Sequence, residues 1–536
     1  MARTPLLQQL LDTFRRADRN DREERTSAGT ISRRHLLGMG AVAGAALATG
    51  CAVPSASDRE NVGSRGESLK KVNANIGIVG TGIAGLSCAY ELQRAGNVAT
   101  LHEASTRPGG RMWSMGPELP GPVDWLGQTI ERGGELIDTS HKTIIGYANK
   151  FGLSLEDIRK GAPPQAYYFD GQAVSESTLV DQYRAFVSAI QDDLRKVGSP
   201  TATSFTPDDQ RFDFMSLDEY LATRGAAPQL AKLLKAAYAI EYGLETDKLS
   251  SLAFIQYIKA SRASHIRLFG TSDERYHVIG GNEQIPRAIA AKLGSQIKYG
   301  RKLLRIRKLS DGRVELTLAE GNKTITAVHD AVVLALPFNL IRDVQIDASV
   351  GLPDWKKYAI QNIVYGANTK LMVGFVGRPW IEQNSCGEAY SDQPYLQNTW
   401  ETDPKLANAT RGVLTDYTGA GLARSLSPST LQKDAQNFLS NLDKIYPGAA
   451  ARARRDAKGN IVCHMEAWPL NPLTKGAYTA NQCGYFTTIA DNEAPPVGNL
   501  YFAGETTSGF YMYQGFMEGG AQSGIRAAGE IVKDFG

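Results

Sequence analysis

The glycine spacing between residues 80 and 85 predicts a site for a ligand that carries phosphate. Gly80 allows a tight turn, Gly82 lets the main chain approach a pyrophosphate, and Gly85 lets a helix pack closely on a strand. The N-terminus of a helix that begins here directs its N–H groups at the negative charge. The cofactor-binding candidates of this turn are Gly80, Gly82, Ile83, Ala84 and Gly85.

The elements around the turn support this interpretation. An apolar run at 76–79 precedes the glycines, a helical pattern from Leu86 to Ala95 follows, and a second apolar run at 98–101 ends beside Glu103. This is the order of a βαβ dinucleotide-binding unit, with a carboxylate placed for a ribose hydroxyl. A glycine turn by itself also occurs in structural loops, but a loop does not require the flanking strands, helix and acid.

Motifs near both ends of the chain narrow the dinucleotide to FAD. Gly109-Gly110-Arg111 resembles the GGR loop of FAD-dependent amine oxidases, in which Gly110 allows close approach and Arg111 neutralises the pyrophosphate. Residues 499–505, which end in Gly504 and Glu505, resemble the element whose carboxylate holds the ribityl chain. Residues 515–519 resemble the turn that opens the last helix. From about residue 74 onward the chain resembles the flavin amine oxidase family, which includes monoamine, polyamine and L-amino acid oxidases.

The resemblance implies roles for five further residues. Lys370 matches the family lysine that holds a water against flavin N5, and Tyr478 with Phe516 matches the aromatic pair that flanks the substrate amine. The main chain of Leu303 would pair with adenine, and Met517 would lie at the flavin. Composition alone favours simpler alternatives, namely a lysine that faces solvent on an edge strand and aromatic rings that only pack in a core.

The resemblance also bears on how the flavin is attached. Monoamine oxidases place a flavin-bonding cysteine at the position of Ala477, and Cys483 is out of register. The expected cofactor is therefore non-covalent FAD. None of the five cysteines forms a CxxC pair, so we expect no metal site of that type.

The expected reaction is oxidative deamination by an FAD-dependent oxidase. A hydride passes from the amine-bearing carbon to flavin N5, the imine is hydrolysed, and O2 is reduced to hydrogen peroxide. An L-amino acid is the first substrate choice, by analogy with exported bacterial relatives. The alternatives are a monoamine or polyamine oxidase, an amino-acid 2-monooxygenase, and a flavin-binding module without turnover.

One departure from the family pattern puts the amino-acid substrate in doubt. Many L-amino acid oxidases carry an arginine near the position of Leu136 that grips the substrate carboxylate, and no arginine stands there. Arg132 is only a weak substitute. Glu135 would either hold a cationic substrate tail or form a structural salt bridge.

The fold class implied is α/β, with a glutathione-reductase-like Rossmann FAD-binding domain, a mixed-sheet substrate domain and a helical insertion. We assign FAD-binding parts to 73–112, 276–345 and 459–536, the last with the aromatic cage, substrate-domain parts to 113–140 and 346–458, the helical insertion to 141–275, a linker to 54–72 and a signal region to 1–53.

Charge excludes one class of partner. The net charge is +3, and the first 34 residues alone contribute +3 from eight arginines and five acids. The remainder is formally neutral and lacks the basic footprint of a nucleic-acid surface. The sequence leaves the oligomeric state open, with a homodimer as one option.

The N-terminal region predicts export to the periplasm or cell envelope. Arg33-Arg34 before a short apolar stretch that ends at Pro54 resembles a twin-arginine (Tat) export signal, and a transmembrane helix is the alternative. Cleavage after Ala48 would release a soluble protein, whereas lipidation at Cys51 would anchor it. The Tat export machinery and O2 are thus expected partners, beside the amine or amino acid.

Overall fold

In a computed structural model of the chain, the structure describes residues 70–158, 162–256, 273–404, 410–509 and 513–536. The predicted signal region, with Arg33, Arg34 and Cys51, lies outside the described residues, as does nearly all of the predicted linker. Among the helices that are described, none is both long enough and apolar enough to cross a membrane.

A five-stranded parallel sheet carries the glycine turn. The strands lie across the sheet in the order Leu500–Phe502, Ala331–Leu334, Ile76–Val79, Ala99–His102 and Ile297–Lys298. The central strand Ile76–Val79 is buried at every position, as expected for a parallel sheet that is covered on both faces. The glycine turn follows this strand, so it opens at the carboxyl edge of the sheet, where ligands bind in folds of this kind. The predicted Rossmann-type unit is confirmed.

Two helices pack against each other beside this sheet. The helix after the turn is Ile83–Arg94, which begins three residues before the predicted Leu86, and its partner is the last helix, Met517–Phe535. A methyl group on Gly524 of the last helix would lie 2.1 Å from the carbonyl oxygen of Ala84. Only glycine allows this approach, so the C-terminal helix completes the unit that begins at residue 76.

A seven-stranded mixed sheet forms the second layer. The strands lie in the order Cys463–Ala467, Asn368–Val376, Arg411–Gly419, Asn398–Glu401, Ala389–Ser391, Ala166–Phe169 and Gln172–Ala173. The strands 368–376 and 411–419 pair over their full length and are buried almost throughout. Lys370 lies on the second of the seven strands, between two hydrogen-bonded neighbours.

An Asp-Gly turn joins two strands of a separate antiparallel hairpin. Asp311 and Gly312 connect the antiparallel strands Arg301–Lys308 and Val314–Glu320, and Gly312 has a φ of +88°. Lys323–His329 and Gln345–Ile346 complete a four-stranded sheet around them. Short two-stranded pairings join Ser114–Met115 with Ile130–Glu131, Leu155–Asp157 with Tyr276–Val278, and Val364–Tyr365 with Thr479–Ala480.

Helices dominate the chain between residues 142 and 256. The described helices there are Lys142–Lys150, Glu176–Ala189, Gln191–Lys196, Pro207–Phe214, Leu217–Thr223 and Pro228–Tyr242, and residues 251–256 are also helical. The described α-helices elsewhere, besides the two at the five-stranded sheet, are Gln284–Leu293, Phe338–Ile341, Asp354–Asn362, Pro379–Glu382, Ala420–Ser425, Leu431–Ile445 and Tyr485–Thr488. The apolar residues of the helix 228–242 are buried, and the helix passes close to the mixed sheet, since a methyl group on Gly419 would lie 2.3 Å from the Ala239 carbonyl oxygen.

Candidate active site

A cavity of about 1020 Å³ lies between the five-stranded and seven-stranded sheets. Its volume is at the upper end of the ligand-site range of about 300–1,000 Å³, which leaves room for a dinucleotide and a small substrate. The sequence-predicted residues that line it are Gly80, Gly82, Ile83, Ala84, Glu103, Gly110, Arg111, Leu303, Lys370, Tyr478, Gly504, Glu505, Phe516 and Met517. Gly85 does not line it. The fold thus brings together residues from both ends and the middle of the sequence.

The glycine turn, residues 80–85, uses each glycine for a different reason. Gly80 has a φ of +99°, which only glycine adopts readily. A methyl group on Gly82 would meet no protein atom within 4 Å, so this position is open to the cavity. A methyl group on Gly85 would lie 2.0 Å from the carbonyl oxygen of Gly80, so Gly85 closes the turn from behind. These are the geometric requirements of a main chain that cradles a pyrophosphate.

Glu103 is held against the glycine turn. Its Oε2 accepts hydrogen bonds from the main-chain N–H of Thr81 at 2.8 Å and from the Thr81 hydroxyl at 2.7 Å, while Oε1 accepts from the Ser105 N–H at 2.7 Å. Behind it, burial lowers the pKa of both His102 and His329 to about 4, so this ring pair is neutral at physiological pH. Glu103 is thus the carboxylate that lines the cavity at the end of the strand 99–102, where a ribose hydroxyl is expected.

Arg111 and Glu505, predicted from opposite ends of the sequence, form an ion pair. The guanidinium Nη1 lies 2.9 Å from Glu505 Oε1 and also donates to the Ala477 carbonyl at 2.7 Å. The other carboxylate oxygen of Glu505 accepts from the Gly515 N–H at 2.9 Å. This network joins the GGR loop, the closing segment and the start of the last helix around one part of the cavity.

The last helix begins at Met517, as the motif predicted, and its first turn faces the cavity. A methyl group on Gly134 would lie 2.8 Å from the Met517 sulfur, so the segment 131–135 runs close to this helix start. Glu518 accepts hydrogen bonds from the N–H groups of Thr143 and Ile144 at 2.9 Å each and thereby binds the start of the helix 142–150. The helix N-terminus supplies a positive potential at the cavity, as a reduced flavin would require.

Lys370 is buried and fully hydrogen-bonded. Only 5% of the residue is exposed, and its ammonium donates to the carbonyls of Glu131 and Gly133 at 3.0 and 2.8 Å and to Glu135 Oε2 at 2.6 Å. The alternative of a solvent-facing lysine on an edge strand is therefore wrong. Of the two roles considered for Glu135, the structure shows the salt bridge.

The Glu135 carboxylate also binds an indole. Trp400 Nε1 donates to Glu135 Oε1 at 2.9 Å, and the Lys370 ammonium lies 5.6 Å from the centre of the Trp400 ring. We call Lys370, Glu135 and Trp400 the lysine cluster. All three line the cavity and are at most 8% exposed. Sequence reasoning missed Trp400, because Asn398–Glu401 is a short strand without an alternating pattern.

Aromatic rings continue from the lysine cluster into the cavity. Trp400 packs edge-on against Tyr417 with ring centres 5.4 Å apart, and the Tyr417 hydroxyl lies 2.9 Å from that of Tyr478. Phe516, the other predicted aromatic, packs edge-on against His141 at 5.2 Å, and burial lowers the pKa of His141 to about 3. Tyr478 and Phe516 are thus cavity-lining rings rather than residues of a closed core.

Arg132 is engaged by other protein groups. Its Nε and Nη2 lie 2.7 and 2.5 Å from Glu466 Oε2, and its guanidinium carbon lies 3.2 Å from the centre of the Trp113 ring. Leu136 lines the cavity with an apolar side chain. Arg132 is therefore already neutralised by a carboxylate, which weakens it as a carboxylate grip.

The described cysteines lie away from the cavity. None of the four described cysteines, Cys88, Cys386, Cys463 and Cys483, is among the residues that line it. Ala477, the residue on which the prediction of non-covalent FAD rests, lines the cavity.

One cluster with metal-ligating side chains was not visible in the sequence. Glu156, His277 and Asp403 come from three segments and place their ligand atoms within 4.8 Å of one another. His277 Nε2 lies 3.0 Å from Glu156 Oε2, and the His277 pKa is raised: burial alone would lower it, but the Glu156 hydrogen bond and nearby carboxylates outweigh that effect. The raised pKa favours the protonated form of His277, which can pair with the carboxylates of this cluster without a metal ion.

Comparisons of this chain with known proteins agree with the site described above. A family model described as flavin containing amine oxidoreductase matches residues 83–532. An L-amino-acid oxidase of Pseudechis australis is 24% identical over 480 residues, which cover 85% of this chain and 86% of that protein. Two solved structures, wild-type putrescine oxidase bound to putrescine and cyclohexylamine oxidase from Brevibacterium oxydans IH-35A, superpose with a TM-score of 0.70 each, at 20% and 21% identity, and cover 86% of this chain and 99% of their own.

Proposed function

This chain belongs to the flavin-containing amine oxidoreductases, and from that premise we propose that it is an FAD-dependent oxidase that deaminates an L-amino acid or another amine. The observation that carries the proposal is the single cavity, which joins the glycine turn and Glu103 to Lys370 and to the rings of Tyr478 and Phe516. A nucleotide-binding end and an amine-orienting end within one cavity fit an enzyme better than a storage module.

The residues present fit FAD. The open position of Gly82 and the positive φ of Gly80 suit a pyrophosphate, Glu103 suits the ribose, and the start of the last helix at Met517 suits the flavin ring. Arg111 and Glu505 would lie along the chain that links the pyrophosphate to the ring.

Bound FAD supplies the redox chemistry: it accepts a hydride from the amine-bearing carbon and returns the electrons to O2, which leaves as hydrogen peroxide. The protein orients the substrate and tunes this chemistry. Tyr478 and Phe516 would hold the amine between two rings and favour its neutral, lone-pair-bearing form. Lys370 would place a fixed positive charge where O2 reacts. Water hydrolyses the resulting imine to a carbonyl compound and ammonia.

An L-amino acid remains our first substrate, and its support is the similarity to L-amino-acid oxidases. A second candidate, an amine without a carboxylate, is favoured by the pairing of Arg132 with Glu466 and of Lys370 with Glu135. Neither of these two cations is available to a substrate carboxylate without giving up a carboxylate of its own.

A panel of L-amino acids, monoamines and diamines tests the function, with the FAD-loaded protein and hydrogen peroxide as the readout. We expect peroxide and ammonia from at least one compound. An amide product in place of the keto acid would identify a 2-monooxygenase. A flavin that no member of the panel reduces without oxygen would favour a binding module.

FAD is proposed to bind without a covalent bond, because Ala477 occupies the position of the bonding cysteine. Acid precipitation of the protein should leave a yellow supernatant. Flavin that stays with the precipitate would contradict this proposal.

Export by the Tat route is proposed from Arg33 and Arg34. Replacing both with lysine should leave FAD-loaded protein in the cytoplasm, measured by cell fractionation. If the doubly substituted protein is still exported, another signal directs it. Labelling with a radioactive fatty acid distinguishes lipidation at Cys51 from cleavage after Ala48.

A further inference from the structure

The Lys370 ammonium has no N–H left for a fourth partner. A lysine ammonium carries three donors, and Glu131, Gly133 and Glu135 supply three acceptors within 3.0 Å. The acceptors are alternate residues of one segment, which runs past the cavity between Lys370 and the start of the last helix. The direction of the ammonium is therefore set by the segment 131–135.

The Glu135 side chain is itself fixed from two sides. Its Oε1 accepts from the Trp400 indole N–H, and its main-chain carbonyl accepts from Asn282 Nδ2 at 2.6 Å. Both oxygens of the carboxylate are used, one by the lysine and one by the indole. Rotation of the carboxylate would break both hydrogen bonds.

Burial makes the charge of Lys370 depend on Glu135. The side chains of Lys370 and Glu135 are 6% and 5% exposed, so solvent provides little screening. An ammonium that is buried without a nearby anion favours its neutral form. The two carbonyl acceptors stabilise the cation, but among the described residues only Glu135 supplies a full negative charge within hydrogen-bond distance.

We propose that Glu135, oriented by Trp400, is the positioning residue that keeps Lys370 charged beside the flavin throughout the working pH range. This inference rests on the proposed oxidase function, in which O2 takes up two electrons and two protons and leaves as hydrogen peroxide. Glu135 acts through Lys370.

Other titratable groups face Lys370 as well. From the segment 131–135, burial raises the pKa of Glu131 to about 7. From the neighbouring strands come Glu466, which is paired with Arg132, and the phenol of Tyr417. These groups remain in every variant below. Because the Glu135 charge contributes to the raised pKa of Glu131, wild type and Glu135→Gln are also compared in a Glu131→Gln background, in which that titration is absent.

The test compares reoxidation of chemically reduced, FAD-loaded protein by O2 in wild type and Glu135→Gln, from about pH 6 to about pH 9. Glutamine keeps the size and one acceptor but removes the charge. In wild type, loss of the Lys370 proton should not slow reoxidation within this pH range. The variant should react at least as fast as wild type at low pH and then slow as the lysine loses its proton, by up to about 10²–10³ when the charge is fully lost, as for other preorganised charges.

The midpoint potential of bound FAD gives a second readout that does not depend on turnover. At low pH the variant gains one net positive charge beside the flavin, so its potential should be more positive than that of wild type. This difference should disappear as pH rises. A pH profile and a potential equal to those of wild type would overturn the proposal.

Glu401, the residue that follows Trp400, provides a matched control variant. The Glu401 carboxylate accepts from Arg378 Nη2 at 2.6 Å and from Trp380 Nε1 at 2.9 Å, so it has the same type of partners as Glu135, but it does not line the cavity. Glu401→Gln should leave the pH profile of reoxidation unchanged, and Glu135→Asp, which keeps the charge, should restore a flat profile. A pH dependence in Glu401→Gln like that of Glu135→Gln would overturn the proposal.

Trp400→Phe covers the case in which Glu135→Gln does not fold. Phenylalanine keeps an aromatic ring but lacks the N–H that donates to Glu135, so reoxidation should slow a few-fold. A rate equal to that of wild type would overturn the proposed role of Trp400 in orienting Glu135. Reduction by dithionite makes these experiments independent of the amine. If no amine in the panel is oxidised, the deamination proposal fails while the role of Glu135 is still measured.

Discussion

At the glycine turn the cavity is shaped by main chain, whereas around Lys370 it is shaped by buried charges. The turn comes from one continuous stretch, residues 80–85, in which the absence of side chains creates the space. The lysine cluster comes from three segments, around residues 135, 370 and 400, and depends on one ion pair and one indole hydrogen bond. An added atom should therefore perturb the glycine turn most, whereas a lost charge should perturb the lysine cluster most.

Lys370→Met should have the largest effect. It leaves Glu135 buried without its cation, which typically costs about 3–5 kcal/mol of stability, and it removes the charge beside O2, which should slow reoxidation by about 10²–10³. FAD should stay bound, because its proposed contacts lie in other segments. Rapid mixing of reduced protein with O2 measures the rate. A rate equal to wild type would reduce Lys370 to a structural role.

Gly85→Ala tests the main-chain end. The added methyl group would lie 2.0 Å from the Gly80 carbonyl oxygen, so helix or turn must shift, at a cost of up to about 3 kcal/mol in the free energy of unfolding. Gly82→Ala is the control, because its methyl group meets no protein atom. It should unfold like wild type in denaturant when free of cofactor, yet bind FAD more weakly. Equal stability of the two variants would contradict the distinction between them.

The pH dependence of the unfolding free energy should reveal the titration of Glu131, whose main-chain carbonyl contacts Lys370. Burial raises its pKa to about 7 from 4.5, so the folded protein retains a proton that the unfolded chain has already released. Stability therefore falls as pH rises from about 4.5 to about 7, by on the order of 2 kcal/mol for this group. The unfolding free energy should be measured at about pH 4.5 and at about pH 7. Its decrease between these two pH values should be smaller in Glu131→Gln than in wild type. Glu493, whose pKa burial also raises to about 7, contributes equally to both proteins.

Glu103→Gln should have the smallest effect. The glutamine oxygen can still accept from Thr81, so the turn should survive, but the amide NH2 cannot accept from the Ser105 N–H and the charged hydrogen bond to a ribose is weakened. The loss of about 1 kcal/mol corresponds to about fivefold to tenfold weaker FAD binding. Fluorescence titration with FAD measures it, with Glu118→Gln on an exposed loop as the control. A loss of FAD affinity as large as that in Gly82→Ala would mean that the Glu103 carboxylate contributes as much to FAD binding as the open position at Gly82.

The main-chain end could be predicted because its signals are local. Glycine spacing, two apolar runs and one acid lie within about 30 residues, and each has a direct backbone consequence. The start of the last helix at Met517 was predicted for a similar reason, since its motif occupies a few adjacent residues.

The charged end could not be predicted in full, because its pairs depend on tertiary contacts. Glu135 and Trp400 are 265 positions apart, and Arg132 and Glu466 are 334 apart. The sequence contains 56 acidic and 59 basic residues, and nothing local to Lys370 selects Glu135 among them. The short strands Ala166–Phe169 and Asn398–Glu401 gave no periodic signal either, so their place in the mixed sheet emerged only from the fold.

The order of strands in the parallel sheet has a consequence for the timing of biosynthesis. The central strand Ile76–Val79 is made early, but its sheet also requires Leu500–Phe502, and its first helix packs on Met517–Phe535. Roughly 400 residues must leave the ribosome in between, which takes about 20–80 s at typical rates of about 5–20 residues per second. The nascent glycine turn must wait through this interval for its last partners. Cofactor loading is therefore a late event that follows translation of the C-terminal helix.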